Sequence, residues 1–186
     1  MVARGSERAS RLVLRPLTED DQDEFLELAK DSVELHRPMV LPTTVEDFRV
    51  FLGRFGDPGS AVGLLVCVRE TGAIVGNVNI NSIIRGRLQS GSLGYAVFRA
   101  YAGQGYMSEG LGLVIRYAFE ELRLHRLEAQ IRPDNHASLK LVQRLGFRFE
   151  GVSPELLFIG GRWRDHERWA ITSGVVGAPH PSLPRH

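Results

Sequence analysis

Apolar residues along this chain recur with two periods, and the order in which the periods change predicts its elements. Residues 11–16, RLVLRP, alternate as a half-buried strand does. Thr18 followed by Asp21 reads as a helix start, and Phe25, Leu26, Leu28 and Ala29 supply the apolar stripe behind it. Thr44 and Asp47 repeat that signal ahead of a second stripe, Val45, Phe48, Phe51, Leu52 and Phe55, with Gly56 as its stop. The segments AVGLLVCVRE (61–70) and AIVGNVNINSII (73–84) read as strands joined by a turn at ETG. RGRLQSG (85–91) is a polar turn, and SLGYAVF (92–98) is the next strand.

Past residue 98 the period lengthens. SEGLGLVIRYAFEEL (108–122) has helical spacing, RLEAQI (126–131) alternates, and DNHASLKLVQRLG (134–146) is a helix ended by Gly146. FRFEG (147–151), ELLFIG (155–160) and RWRDHERWAIT (162–172) close the pattern as strands, the last two around a Gly-Gly turn. Hairpin-connected strands followed by strand–helix–strand–helix–strand predict one α+β domain over residues 11–173. Residues 1–10 and the Pro- and Gly-rich 174–186 read as flexible tails.

Composition narrows the function classes. The 186 residues are 43% apolar and 24% charged, as in an ordinary globular domain. A net charge of +1, from 23 basic and 22 acidic residues, gives no electrostatic reason to expect nucleic acid or an anionic membrane as partner. The one cysteine, Cys67, sits in the apolar run LLVCV and reads as a small buried hydrophobe; a disulfide or a CxxC metal pattern is impossible within the chain. The opening MVARGSERAS is polar, unlike a signal peptide, and no apolar stretch approaches the roughly 20 residues that span a bilayer, so a cytoplasmic protein is expected.

The candidate chemistry lies at the junction FRAYAGQGYMSEG, residues 98–110. Glycine tolerates φ > 0, so such a turn lets backbone approach a ligand closely. A helix N-terminus offers unpaired N–H groups and roughly half a unit of positive charge, which together favour a phosphate. GxGxxG is absent and no βαβ unit opens the chain, which argues against a dinucleotide fold.

Several motifs then occur in one order: YAVFRAY, AGQGYMSEGL, HRLEA (125–129), NHAS (135–138), LGF (145–147) and GRWRD (161–165). Over residues 11–172 the chain resembles the GNAT acyltransferase superfamily and, within it, the Rim-type branch that acetylates ribosomal-protein N-termini. The resemblance implies a mixed sheet of about seven strands flanked by about four helices, with acetyl-CoA as co-substrate and no metal. It matches Gly103, Gln104, Gly105, Tyr106, Met107 and Ser108 to the pyrophosphate turn, although Ala102 and Met107 depart from the usual Arg/Gln and small residue. It assigns backbone groups of Val97, Phe98 and Arg99 to the pantetheine arm, and backbone amides near Val97 to the thioester carbonyl.

Asn135 reads from the sequence as the N-cap of the helix after it; the resemblance adds a bond to pantetheine, and places Ser138 near the thioester sulfur. Many superfamily members carry a tyrosine as general acid where this chain has Val142, which leaves Ser138 as the candidate proton donor. Glu128 matches a Glu often found at that place in Rim-type sequences and is the candidate base; Glu155, Asp165, His125, His136 and His166 are further titratable groups. The activity implied is acetyl transfer from acetyl-CoA to a primary amine, foremost a peptide or protein N-terminal α-amine. A small-amine acceptor (antibiotic, polyamine or amino acid) and a non-catalytic acyl-CoA sensor stay open, and a homodimer is common in the branch.

Overall fold

A computed structural model describes residues 10–39 and 41–177. The strands are β1 (Leu12–Pro16), β2 (Val62–Val68), β3 (Ile74–Ile84), β4 (Ser90–Val97), β5 (Arg126–Ile131), β6 (Arg148–Ile159) and β7 (Arg162–Thr172). They form a seven-stranded sheet in the order β1-β2-β3-β4-β5-β7-β6. Neighbours run antiparallel except β4 and β5, which run parallel. The helices are α1 (Gln22–Asp31), α2 (Val33–His36), α3 (Val45–Gly53), α4 (Tyr106–Glu120) and α5 (His136–Arg144). The result is the expected α+β fold with a mixed sheet, with one helix more than expected.

The sheet is covered by two apolar clusters. α4 buries Met107, Gly110, Leu111, Val114, Ile115, Ala118 and Phe119, a stripe at three- and four-residue spacing. It packs on Leu12, Val66, Val78 and Ile80, and Val142 of α5 joins the same cluster. Gly110 is needed for this approach, because a Cβ there would stand 2.8 Å from Val66 Cγ1. The second cluster gathers α1 and α3 over Leu65, Cys67, Ile74, Ala96 and Phe98. Phe25 anchors it, 5.4 Å from both Phe48 and Phe98, the latter edge-on. Cys67 is 1% exposed, packed as the small hydrophobe its context implied.

Three differences from the sequence reading have local causes. FRFEG and ELLFIG form one strand, β6, because its ladder with β7 bends at two register shifts instead of ending. Pro154, which has no N–H to give a ladder, sits inside the second shift, and Gly151 and Glu155 take positive φ at the bends. α3 ends at Gly53, before Gly56, and Val45 at its start is 40% exposed and outside the stripe. The segment 32–44, between the two apolar stripes, contains a short helix, α2, that the apolar spacing did not predict. Thr44 does cap α3, accepting from Asp47 N at 3.1 Å. Thr18 and Asp21 pair across a 3-10 turn, Glu19–Asp21, that runs into α1.

Residues 1–9 and 178–186, most of the expected tails, lie outside the described residues. Of the rest, Ser10 donates to Glu109 Oε1 at 2.7 Å and Ser173–Val176 forms a 3-10 turn.

Candidate active site

β4 and β5 are parallel neighbours for only three registered pairs, from Ser90↔Arg126 to Ser92↔Glu128. Beyond Ser92, β4 stays on β3 as far as Val97, while β5 continues on β7. The two strands therefore diverge, and the chain leaving each one enters a helix whose N-terminus faces the gap. A cavity of about 630 Å³ fills that opening, lined by the starts of α4 and α5, the end of β4 and part of α2.

The first wall is the start of α4. Gly103 and Gly105 both have left-handed backbone, φ 75° and 79°, which explains the glycine spacing. Gly105 is the N-cap and supplies no side-chain cap, so the first-turn N–H groups present the positive end of a 15-residue helix to the cavity without a capping acceptor. Gly103, Gly105, Tyr106, Met107 and Ser108 line it. Met107 also packs in the α4 cluster at 8% exposure, so its bulk is taken up largely by the core. Gln104 turns away: its side chain donates to Ala100 O at 2.8 Å and its carbonyl accepts from Arg11 at 3.1 Å.

The second wall is the end of β4, where the expected triplet separates. Val97 lines the cavity, but Phe98 and Arg99 do not. Phe98 N–H donates to Val75 O at 2.8 Å and its ring is fully buried on Phe25. Arg99 N–H donates to Ser32 Oγ at 2.9 Å, and its guanidinium to Asp31 O. Both backbone donors are thus spent inside the fold. The Val97 carbonyl accepts from His36 Nε2 at 2.8 Å, and burial lowers the His36 pKa below its ordinary value.

The third wall is the start of α5. Asn135 Oδ1 accepts from Ser138 N at 3.2 Å, the cap read from the sequence, and both residues line the cavity. Val142 is fully buried in the core. Beside Ser138 stands Tyr95 of β4, a residue the sequence reading treated only as part of a strand. Burial pushes the Tyr95 phenol up and the Ser138 side chain draws it partly back; its buried hydroxyl forms no hydrogen bond of normal geometry. Arg132, His136 and Arg144 add cationic or titratable side chains to the rim. Arg132 is held to Asp134 at 2.8 Å, and this bond holds the Asp134 carboxyl below its usual range.

Glu128 is not among the lining residues. It is gripped by Arg126 Nε at 2.8 Å and Gln130 Nε2 at 3.2 Å, in a chain of side chains that continues from Arg126 to Glu150. Asp165 accepts from Glu155 N–H at 2.9 Å and so fastens the β6 bend. His166 is 2% exposed, with Nδ1 at Arg164 O, and His125 meets Ser173. Of the titratable groups named from the sequence, His136 alone lines the cavity.

A second cavity, about 430 Å³, opens beside the first and shares Met39, Tyr95 and Ala96 with it. Its walls include Asp47 and Arg54 of α3, Asn77 and Asn79 of β3, and Gly94. The side-chain oxygens of Asn77 and Asn79 are buried without hydrogen-bond partners.

The sequence model of the Acetyltransferase (GNAT) domain matches residues 11–148. The chain belongs to this GNAT family. Among curated relatives it is similar to the [Ribosomal protein uS5]-alanine N-acetyltransferase of Escherichia coli (strain K12), 34% identical over 122 residues, or 66% of this chain and 63% of that protein. It is 42% identical over 98 residues to the probable N-acetyltransferase YjcK of Bacillus subtilis (strain 168), 53% of this chain and 54% of the relative. The chain thus spans less than two thirds of the length of these curated relatives. Among solved structures, Mycobacterium smegmatis RimJ in complex with CoA-disulfide superposes with a TM-score of 0.81 at 26% identity, covering 89% of this chain and 83% of that one. The spermidine N-acetyltransferase of Vibrio cholerae in complex with CoA and spermine shares the fold, with a TM-score of 0.76 at 20% identity over 89% and 98% of the chains.

Proposed function

We propose that this GNAT protein transfers the acetyl group of acetyl-CoA to the α-amine of a peptide or protein N-terminus. The observation that carries the coenzyme part is the uncapped start of α4, with two left-handed glycines, opening on the cavity that also holds Ser138. These residues fit the ligand. First-turn amides at Tyr106, Met107 and Ser108 suit a pyrophosphate, Val97 and Asn135 suit the amides of a pantetheine arm, and Ser138 stands where a thioester between the diverging strands would lie.

In this reading the amine attacks the thioester directly, with no acyl-enzyme. The Val97 backbone polarises the carbonyl and Ser138 protonates the departing sulfur. Glu128 remains the base assigned by resemblance, yet two side chains already hold it. That favours an acceptor that needs little help losing a proton: an α-amine titrates near 7.7–8.0, a lysine side chain near 10.4. The second cavity supports the same choice. Asp47 is the one carboxylate among its lining residues, a poor match for a polyamine carrying several charges. The reading includes a cytoplasmic homodimer; among the described residues, no helix is long and apolar enough to cross a membrane.

Thiol release from acetyl-CoA, measured against peptides with small N-terminal residues, polyamines and aminoglycosides, tests the proposal. Turnover highest on a peptide supports it. Polyamine or aminoglycoside turnover above every peptide overturns the acceptor, and binding of acetyl-CoA without thiol release for any amine overturns catalysis.

A further inference from the structure

The Tyr95 hydroxyl is an unusual group. It is buried, has no hydrogen-bond partner of normal geometry and sits on a residue that lines both cavities. An unmet buried hydroxyl is costly relative to a satisfied one, so its persistence calls for a function. Ser138 is the side chain beside it, and Ser138 lines only the first cavity. The two hydroxyls therefore stand in series: Tyr95 at the seam of the cavities, Ser138 on the coenzyme side.

We propose that Tyr95 and Ser138 form a proton relay that carries the acceptor's proton to the leaving sulfur. This rests on the N-acetyltransferase reading above, with the acceptor amine entering through the second cavity. The amine nitrogen bonds to the acetyl carbon and becomes positively charged. As the adduct collapses, the C–S bond breaks and sulfur leaves with its electron pair. Ser138 gives its hydroxyl proton to sulfur and takes the phenol proton of Tyr95. Tyr95 in turn takes a proton from the new amide nitrogen. One N–H bond is lost and one S–H bond is gained, both side chains end as they began, and no outside base or acid is consumed.

The relative acidities favour a relay over a simple acid. A phenol titrates near 10 and a thiol near 8.5, so a tyrosine donating alone would stop at an unfavourable phenolate. Burial widens that gap at Tyr95. When the nitrogen of the adduct resupplies the proton, phenolate never accumulates. The relay also accounts for two features of the chain together: valine at 142, packed in the core, and Glu128 bound up away from the cavity.

The test is Tyr95→Phe, which removes the hydroxyl and leaves the ring. Because that hydroxyl makes no hydrogen bond of normal geometry, the variant should melt at the wild-type temperature or higher and keep the full melting shift with acetyl-CoA. Its kcat should fall about 10²-fold or more, with the acetyl-CoA KM little changed. Tyr95→Phe/Ser138→Ala should be no slower than the worse single variant, since both break one relay. Wild-type kcat in Tyr95→Phe, loss of its acetyl-CoA shift, or double-variant losses that multiply would each overturn the relay. A wild-type protein that releases no thiol with any amine would instead remove the N-acetyltransferase reading, and the relay with it; a wild type that turns over alongside an undiminished Tyr95→Phe removes the relay alone.

Discussion

His36 Nε2 donates to the Val97 carbonyl oxygen at 2.8 Å, joining residues 61 positions apart in the chain. A carbonyl only accepts, so the proton is on Nε2. One turn earlier, Ser32 Oγ accepts from Arg99 N–H at 2.9 Å and donates to Leu28 O at 2.7 Å. The segment around α2 is thus fastened at two points to the end of β4, the place proposed for the thioester carbonyl. Leu35, His36, Arg37 and Met39 from this segment line the first cavity, and Met39 also lines the second. The part of the chain that lines both cavities is therefore the same part that steadies the strand end.

Burial of the His36 ring makes stability depend on pH, and the bond to Val97 only partly offsets it. Burial depresses the His36 pKa in the fold below its unfolded value of about 6.5. The unfolded chain then binds the extra proton more readily, so the contribution of His36 is full above about 6.5 and is lost as pH falls through the lower folded value. The melting temperature should begin to drop as pH falls below about 6.5, before most carboxylates titrate. His36→Asn should flatten that part of the curve. Parallel wild-type and variant curves over this window would count against the assignment.

Acetyl-CoA should raise the melting temperature, and at about a hundred times its dissociation constant it should add about 2.7 kcal/mol. Gly105→Val should abolish the shift, because a branched side chain at φ 79° is strained and intrudes on the N–H cradle. Gly112→Ala is the matched control on the same helix: nothing lies within 4 Å of its Cβ, so it should gain roughly 0.5–1 kcal/mol and keep the shift. Calorimetry on both variants decides the point, and a Gly105→Val protein that folds and binds normally would remove the turn from the site.

The turn, the cap and the core stripes were legible because each depends on residues near one another in sequence. Gly105 must take φ > 0 at a helix start, and Asn135 must meet the N–H three residues on. The exclusion of Phe98 and Arg99 was not legible, since it depends on Val75 and Ser32, 23 and 67 residues away in the chain. Tyr95 was hidden for a related reason. In SLGYAVF an aromatic at an alternate position reads as strand packing, and only the divergence of β4 from β5 brings it beside Ser138. Glu128 stood on the strand expected, but the Arg126 and Gln130 side chains that claim it are local partners whose direction alternation cannot distinguish from a free carboxylate.

Ser138→Ala should lower kcat more than it raises the acetyl-CoA KM. The loss should fall near the 10²–10⁴-fold typical of general acid catalysis. Folding should be little affected, because Asn135 caps α5 through the Ser138 backbone N–H, which alanine keeps. Steady-state kinetics beside a melting curve separates the roles. Full kcat in a well-folded variant would leave Ser138 as a helix-start residue.

The acceptor prediction turns on Gly94, whose position on β4 opens into the second cavity. A Cβ there would meet Asn81 Nδ2 at 3.4 Å and Asn79 Nδ2 at 4.0 Å, the ends of movable side chains, so a larger residue can fold while filling the space. Gly94→Leu should raise the KM for an N-terminal peptide about tenfold or more, equivalent to about 1.4 kcal/mol, while the acetyl-CoA melting shift stays intact. With the wild-type enzyme, kcat/KM for the peptide should climb with pH and level off near the free amine's pKa, about 7.7–8.0, because only the neutral amine attacks. An unchanged peptide KM in Gly94→Leu would move the acceptor out of this cavity. A rate still climbing past pH 9 would point instead to a side-chain amine near 10.4 and to the small-amine reading.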